Sequence, residues 1–264
     1  MLELLRYIPQ TPHPTPLLFI HGAWHGAWCW AEYFLPYFEQ QGFAAYALSL
    51  RGHGNSTPQK LRWVSIWDYV ADVRQQVEII EQEAQHPPVL IGHSMGGYIV
   101  QKYLERYDAP AGVLLASIPV MGTLPFFSRF FRRYPLAFLK SGLLMKGYSL
   151  VEDVERAHAL FFSAHMPFEQ VKQYHTKIQD ESFRLVFDSA LLNRPNPKRV
   201  KPAPMQVLAA ANDQIFSVKE QMTTAKAYHT EAVVLADTAH DVMLEPNWQV
   251  AADHILMFIH NLPT

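Results

Sequence analysis

Ser94 sits in Val89-Leu-Ile-Gly-His-Ser-Met-Gly-Gly-Tyr98, a Gly-x-Ser-x-Gly pattern with one further glycine, between a predicted strand and a predicted helix. That is the context in which the pattern makes a nucleophile elbow. So tight a strand-to-helix turn forces the serine into a strained backbone conformation. Gly92 and Gly96 leave room where a side chain would strike the adjoining strand and helix. The helix N-terminus behind the hydroxyl offers free N–H groups to a developing negative charge. A serine hydroxyl is a weak nucleophile until a base takes its proton. A histidine oriented by a carboxylate is the base that fits, and behind a serine elbow of this kind the chain order is Ser, then Asp or Glu, then His. Asp213, in Ala210-Ala-Asn-Asp-Gln-Ile215, and His240, in Asp237-Thr-Ala-His-Asp241, each follow a predicted strand. Both are therefore expected at the same carboxyl edge as Ser94. Asp237 and Asp241 are rival carboxylates. Asp241 is adjacent to His240 and is expected to point elsewhere, while Asp237 would need an unusual loop.

The tetrahedral intermediate of acyl transfer needs two backbone donors. Met95 N–H, directly after the nucleophile, is one. Ala23 N–H, in Ile20-His-Gly-Ala-Trp24, is the choice for the other, with Gly22 letting that loop come close. His21 reads as a brace for the loop rather than a base. His21 and His25 are four apart, but on a glycine-rich loop rather than a helix, so no metal is expected there.

Positioning such residues takes strands that all end at one edge. Apolar runs at Leu17–Ile20, Ala44–Leu50, Val89–Ile91, Gly112–Ala116, Met205–Ala209 and Ala232–Leu235 each stop at a turn signal. They read as strands buried on both faces of a parallel sheet. Helices fit between them. Ser65 and Asp68 form a capping box ahead of Ile66, Val70, Val73, Val77 and Ile80 at helical spacing. Further helices are predicted over Met95–Tyr107, from Ser217 (with Glu220 three residues on) to about Tyr228, and over Asn247–Asn261. The expected fold class is α/β, with a mostly parallel central sheet flanked by helices.

From about Val120 to Val200 the rhythm breaks into helical patterns and prolines. The expected division is a core of residues 1–119 and 201–264 and an inserted helical cap, 120–200. The first part of the cap holds Phe126, Phe127 and Phe130, expected with Trp24 to line a substrate pocket. It also holds Arg129, Arg132, Arg133, Lys140 and Lys146, and no acidic residue occurs from Ala109 through Val151. The preferred reading of these cations is a solvated face. Contact with a membrane surface ranks below it.

The chain has 264 residues, 49% hydrophobic and 17% charged, with 22 Lys and Arg against 24 Asp and Glu. That composition is of a folded globule and not a disordered chain. Its balanced charge excludes a nucleic-acid partner held by cationic contacts to phosphate. The single cysteine, Cys29, excludes an internal disulfide and a cysteine-built metal site. With neither a signal-peptide pattern nor an apolar run long enough to span a bilayer, the chain is expected to be soluble and cytoplasmic.

Phe19-Ile-His-Gly-Ala-Trp24, Leu50-Arg-Gly-His-Gly-Asn-Ser56, Gly92-His-Ser-Met-Gly-Gly97, the Asp213 turn and Ala239-His-Asp-Val-Met-Leu-Glu-Pro246 together resemble the α/β-hydrolase superfamily. His21-Gly-Ala-Trp-His-Gly-Ala-Trp-Cys-Trp30 is also similar to the opening of the plant methylesterase and hydroxynitrile-lyase group. Lyases of that group carry threonine after the first histidine and lysine after the catalytic one. Here those places hold Gly22 and Asp241, so the resemblance favours ester hydrolysis over cyanohydrin cleavage. Arg51-Gly-His-Gly-Asn-Ser56 is closer to microbial esterases and lysophospholipase-like hydrolases. Dehalogenases and epoxide hydrolases carry aspartate where Ser94 stands. Of the opening strands that the resemblance implies, Leu2–Ile8 is expected to supply only one or two.

The expected function is hydrolysis of a carboxylic ester of a small to medium apolar substrate through Ser94, His240 and Asp213, with no cofactor. Two alternatives keep the same residues. One is thioester or carbon–carbon bond hydrolysis, and the other is a ligand-binding or signalling module that hydrolyses slowly. The sequence does not assign an oligomeric state.

Overall fold

The apolar runs predicted as strands all form strands. The computed structural model describes residues 1–201 and 203–262. Among these, β1 (Glu3–Tyr7), β2 (Leu17–Ile20), β3 (Ala45–Ser49), β4 (Val89–His93), β5 (Gly112–Leu115), β6 (Met205–Ala210) and β7 (Ala232–Leu235) make one sheet in the order β1-β3-β2-β4-β5-β6-β7. Only β1 runs antiparallel, with Glu3 opposite Ser49 and Tyr7 opposite Ala45. β2 lies parallel between β3 and β4, with Leu17 facing Ala45 on one side and Val89 on the other. Leu2–Ile8 thus supplies a single opening strand. β2 to β5 are buried throughout, as helices on both faces require. β7 departs from the prediction. It is an edge strand paired only with β6, and its Val234 is exposed while Leu235 is buried.

Two short helices, α1 (Trp28–Ala31) and α2 (Phe34–Gln40), follow β2. They pack Trp30, Phe34 and Phe38 around Phe19 of the sheet. α3 (Ile66–Ala84) starts at the predicted capping box. The Ser65 N–H donates to the Asp68 carboxylate at 2.8 Å, and the Asp68 N–H to the Ser65 hydroxyl at 3.3 Å. α4 (Met95–Leu104) leaves the elbow directly.

Between β5 and β6 the described residues hold helices and no strand. They are α5 (Leu124–Arg133), α6 (Pro135–Leu144), α7 (Val154–Phe161), α8 (Phe168–His175) and α9 (Phe183–Phe187), the last running into a π-helical turn at Asp188–Leu192. Polar contacts tie this segment to the sheet layers. The buried Asp188 carboxylate accepts from the Ile66 N–H at 2.9 Å, where the α3 N-terminus favours negative charge. Arg129 on α5 donates to both oxygens of Glu220, at 2.9 and 3.0 Å, and to the Ile215 carbonyl. Glu220 and Ser217 make the predicted capping box of α10 (Val218–Ala227), and α11 (Trp248–His260) follows β7.

Candidate active site

Ser94, Asp213 and His240 come from the carboxyl ends of β4, β6 and β7 and meet above the sheet. His240 Nε2 lies 3.0 Å from Ser94 Oγ, and His240 Nδ1 lies 2.8 Å from Asp213 Oδ2. Ser94 has φ +50° and ψ −112°, a conformation an L-residue holds only when its surroundings impose it. The surroundings here are backbone bonds. The Ser94 N–H donates to the Leu115 carbonyl at 3.0 Å, and the Ser94 carbonyl accepts from Tyr98 and Ile118 at 3.2 and 3.1 Å. A Cβ on Gly92 would overlap the Gly96 carbonyl, and one on Gly96 would overlap the Ile20 carbonyl. Only glycine at both places lets strand, helix and the loop after β2 approach so closely.

The second Asp213 oxygen is also committed. Oδ1 accepts the N–H groups of Ile215 at 2.7 Å and Phe216 at 3.0 Å. The carboxylate is therefore held in one orientation, with Oδ2 toward the imidazole. An acceptor-only partner at Nδ1 selects the tautomer with its proton there, which leaves the Nε2 lone pair facing the serine hydroxyl. The rivals are placed elsewhere. Asp237 is exposed, and Asp241 turns away from the His240 ring toward His25.

Ala23 and Met95 line the same cleft as Ser94, and neither backbone N–H has a protein acceptor among the described residues. The cleft and the open solvent at its entrance together make about 570 Å3 of space free of protein atoms. Trp24, Phe126 and Phe127 stand on its wall, and Leu185, Ile215 and Phe216 complete an apolar surface. Phe130 does not reach it. One turn along α5 from Phe126, it is buried behind that ring at 5.7 Å and against Tyr134 at 5.2 Å, so its role is packing rather than lining.

The loop that carries Ala23 is braced by histidines. His21 accepts the Leu50 N–H at Nε2, 3.1 Å, and donates from Nδ1 to the Gly22 carbonyl, 2.7 Å. Burial and the nearby His53 hold it well below the usual imidazole range, so it stays neutral. His25 differs. Its Nδ1 meets the Ala23 carbonyl at 2.8 Å and its Nε2 meets Asp241 Oδ2 at 3.0 Å. Two acceptors require two protons. Burial alone would lower the His25 pKa, but the Asp241 charge and both hydrogen bonds outweigh it and raise it. Asp241 is fully buried, which alone would raise its pKa, yet His25 and the neighbouring histidines lower it. The pair is thus a buried imidazolium–carboxylate that joins the loop after β2 to the loop bearing His240. Sequence reasoning missed it, because His25 and Asp241 lie 216 residues apart in the chain. A second pair was also missed. His53 Nε2 lies 3.2 Å from Glu181 Oε2, and the Tyr69 hydroxyl donates to Glu181 Oε1 at 2.5 Å. Burial would lower His53, but Glu181 raises it. Glu181 lines the cleft wall.

His93, His240 and Asp241 offer potential ligand atoms within 4.8 Å of one another. His93 Nδ1 and Asp241 Oδ1 are buried without a hydrogen-bond partner, but the other donors are engaged. His93 Nε2 donates to the His240 carbonyl at 2.9 Å, and both His240 nitrogens face Asp213 and Ser94. Burial and the adjacent His240 push His93 down to about 3, so it is a neutral donor. A cation there would break the contacts that hold His240.

The fold agrees with comparison to known proteins. The chain belongs to the alpha/beta hydrolase family, whose profile matches residues 17–252. Norfluorocurarine synthase 2 of a Strychnos species is 30% identical over 123 residues, covering 44% of this chain and 45% of that protein. Protein phosphatase methylesterase 1 of Bos taurus is 32% identical over 105 residues, covering 40% and 28%. The matches thus span less than half the length of these curated relatives. Among solved structures, the monoacylglycerol lipase of Paleococcus ferrophilus superposes with a TM-score of 0.71 over 98% of both chains at 19% identity, a likeness of fold. No helix among the described residues is long and apolar enough to cross a membrane.

Proposed function

We propose that this hydrolase cleaves the carboxylic ester of a small to medium apolar substrate through an acyl-enzyme on Ser94. Ser94 Oγ attacks the ester carbonyl carbon as His240 Nε2 takes its proton. Asp213 holds the tautomer and stabilises the imidazolium that forms. The N–H groups of Ala23 and Met95 receive the tetrahedral oxyanion. Collapse of the intermediate expels the alcohol, which takes the proton from His240. Water then attacks the acyl group, His240 accepts the water's proton, and the acid departs as Ser94 regains its hydroxyl. In this reading residues 120–200 act as a cap over the core of 1–119 and 201–264, and place Phe126 and Phe127 against the substrate.

The observation that carries the proposal is the unbroken run of hydrogen-bond distances from Asp213 Oδ2 to His240, 2.8 Å, and from His240 to Ser94 Oγ, 3.0 Å, at the floor of an apolar cleft. The methylesterase among the relatives supports an ester over a thioester or carbon–carbon bond. A panel of p-nitrophenyl esters of increasing acyl length tests it. Wild type should turn over at least the shorter members and Ser94→Ala none. Equal turnover by Ser94→Ala would overturn the assignment.

A further inference from the structure

The surface of the segment between β5 and β6 reverses the usual arrangement of a helix in water. At about 100° per residue, Leu136, Leu139 and Leu143 of α6 fall within about 60° of one another. These three are 80%, 52% and 84% exposed, whereas Phe138 and Ser141, on the opposite side, pack inward. An apolar stripe turned outward on a water-facing helix marks an interaction surface. Just past the end of α6, the exposed Met145 lines a groove that also borders Trp63, 60% exposed on a different segment.

Cations surround this apolar face. Arg132 and Arg133 end α5 beside it. Lys146 lies in the groove with Lys60 and Arg62. Arg132, Arg133 and Lys146 pair with no carboxylate among the described residues. Lys140 is paired with Glu152, and Asp180 is the acid of the groove, its Oδ1 accepting the Tyr148 and Glu181 N–H groups. Leucines and a tryptophan beside unneutralised Arg and Lys are the composition by which a helix lies in an anionic lipid interface. A second copy fits worse, because a self-complementary contact would oppose the same cations across the interface. Position adds a reason. Gly147, the residue after Lys146, lines the same cleft as Ser94.

We propose that α6, the end of α5 and the Trp63 loop form a docking face for an anionic lipid surface, linked through Lys146 and Gly147 to the wall of the apolar cleft. The docking stands whether or not the ester reading holds. Should both hold, the substrate class narrows to esters that partition into membranes.

Co-sedimentation with vesicles tests it. Wild type should pellet with phosphatidylcholine vesicles containing about 30 mol% phosphatidylserine and at least about tenfold less with phosphatidylcholine alone, the anionic preference that unpaired Arg and Lys give. The anionic component of binding should shrink at about 0.5 M NaCl, where screening lengths fall to a few ångströms. Leu136→Asp with Leu143→Asp should lower binding at least about tenfold, through lost apolar insertion. Arg132→Glu with Arg133→Glu should abolish the preference for the anionic lipid. Circular dichroism and turnover of a water-soluble ester by the variants, expected unchanged, report that they fold. Lack of soluble-ester turnover in wild type would count against the hydrolase reading alone. Pelleting with neither vesicle, or equal binding by the leucine variant, would overturn the docking face. So would light scattering that shows a wild-type dimer made monomeric by Leu136→Asp with Leu143→Asp, since the occupant would then be a second copy.

Discussion

Asp213→Asn isolates the role of the carboxylate without emptying its place. The two backbone N–H groups that donate to Oδ1, from Ile215 at 2.7 Å and Phe216 at 3.0 Å, dictate how the amide must sit. Only its oxygen can accept from them, so the NH2 group is turned toward His240 Nδ1, where Oδ2 now stands at 2.8 Å. An NH2 group there donates, so Nδ1 must give up its proton and become an acceptor. The proton moves to Nε2, which then faces Ser94 Oγ at 3.0 Å with an N–H and no lone pair. A base in that tautomer cannot take the serine proton. In enzymes built on the same three groups this change lowers kcat by about 10,000-fold. That corresponds to about 5 kcal/mol of lost transition-state stabilisation. Steady-state hydrolysis of the best p-nitrophenyl ester measures it, with thermal unfolding as the control for folding. The expectation is a fall in kcat near 10,000-fold with KM and Tm little changed. A variant that keeps more than about a tenth of wild-type kcat would refute the tautomer argument and with it the role given to Asp213.

Other outcomes follow from the same geometry. Gly96→Ala puts a methyl group into the Ile20 carbonyl, and overpacking of this kind costs about 1–3 kcal/mol or more. At roughly 2–4 °C per kcal/mol for a chain of this size, calorimetry should show Tm lowered by several degrees, and an unchanged Tm would contradict the close approach. The His25–Asp241 pair makes stability depend on pH. Because His25 is raised on folding, its contribution is complete below the unfolded imidazole value and is lost as pH rises through the folded one. Asp241 is lowered on folding, so its share is lost only as pH falls through its folded value, below the ordinary carboxylate range. The Tm deficit of His25→Gln against wild type should therefore be largest at mildly acidic pH and shrink toward alkaline pH; a deficit that grows with pH would contradict a charged His25. Phe127→Ala opens the cleft wall and should shift kcat/KM toward longer acyl chains, by roughly fourfold per extra methylene buried at about 0.8 kcal/mol each. Phe130→Ala, behind the wall, should cost about 3–5 kcal/mol of stability and leave the chain-length ranking unaltered.

The residues legible in the sequence are those whose signals are local. The capping boxes at Ser65 and Ser217 are spelled by residues three apart, and the strands by short apolar runs that end in turns. Once the strands are placed, parallel topology brings Ser94, Asp213 and His240 to one edge without further information. What escaped was set by distant partners. Val234 reads like any buried β residue, since an apolar run does not say whether a neighbour covers both faces. α1 and α2 are short and lack a capping side chain, so no start signal marks them. Phe126, Phe127 and Phe130 share a helix, and only the packing of Tyr134 behind Phe130 separates lining from support. The His25–Asp241 and His53–Glu181 pairs join residues far apart in the chain, where spacing carries no information about contact. Nothing local in the sequence marks Leu136, Leu139 and Leu143 of α6 as exposed, because exposure depends on what packs over the helix.

The most direct test of the account is to quench a reaction with a p-nitrophenyl ester in acid during the first turnover, digest the protein and locate the acyl group by mass spectrometry. The account predicts one acyl group per chain, on the peptide containing Ser94 and bonded to that hydroxyl. Sustained hydrolysis by wild type with the acyl group on another residue, or persisting at full rate in Ser94→Ala, would contradict it.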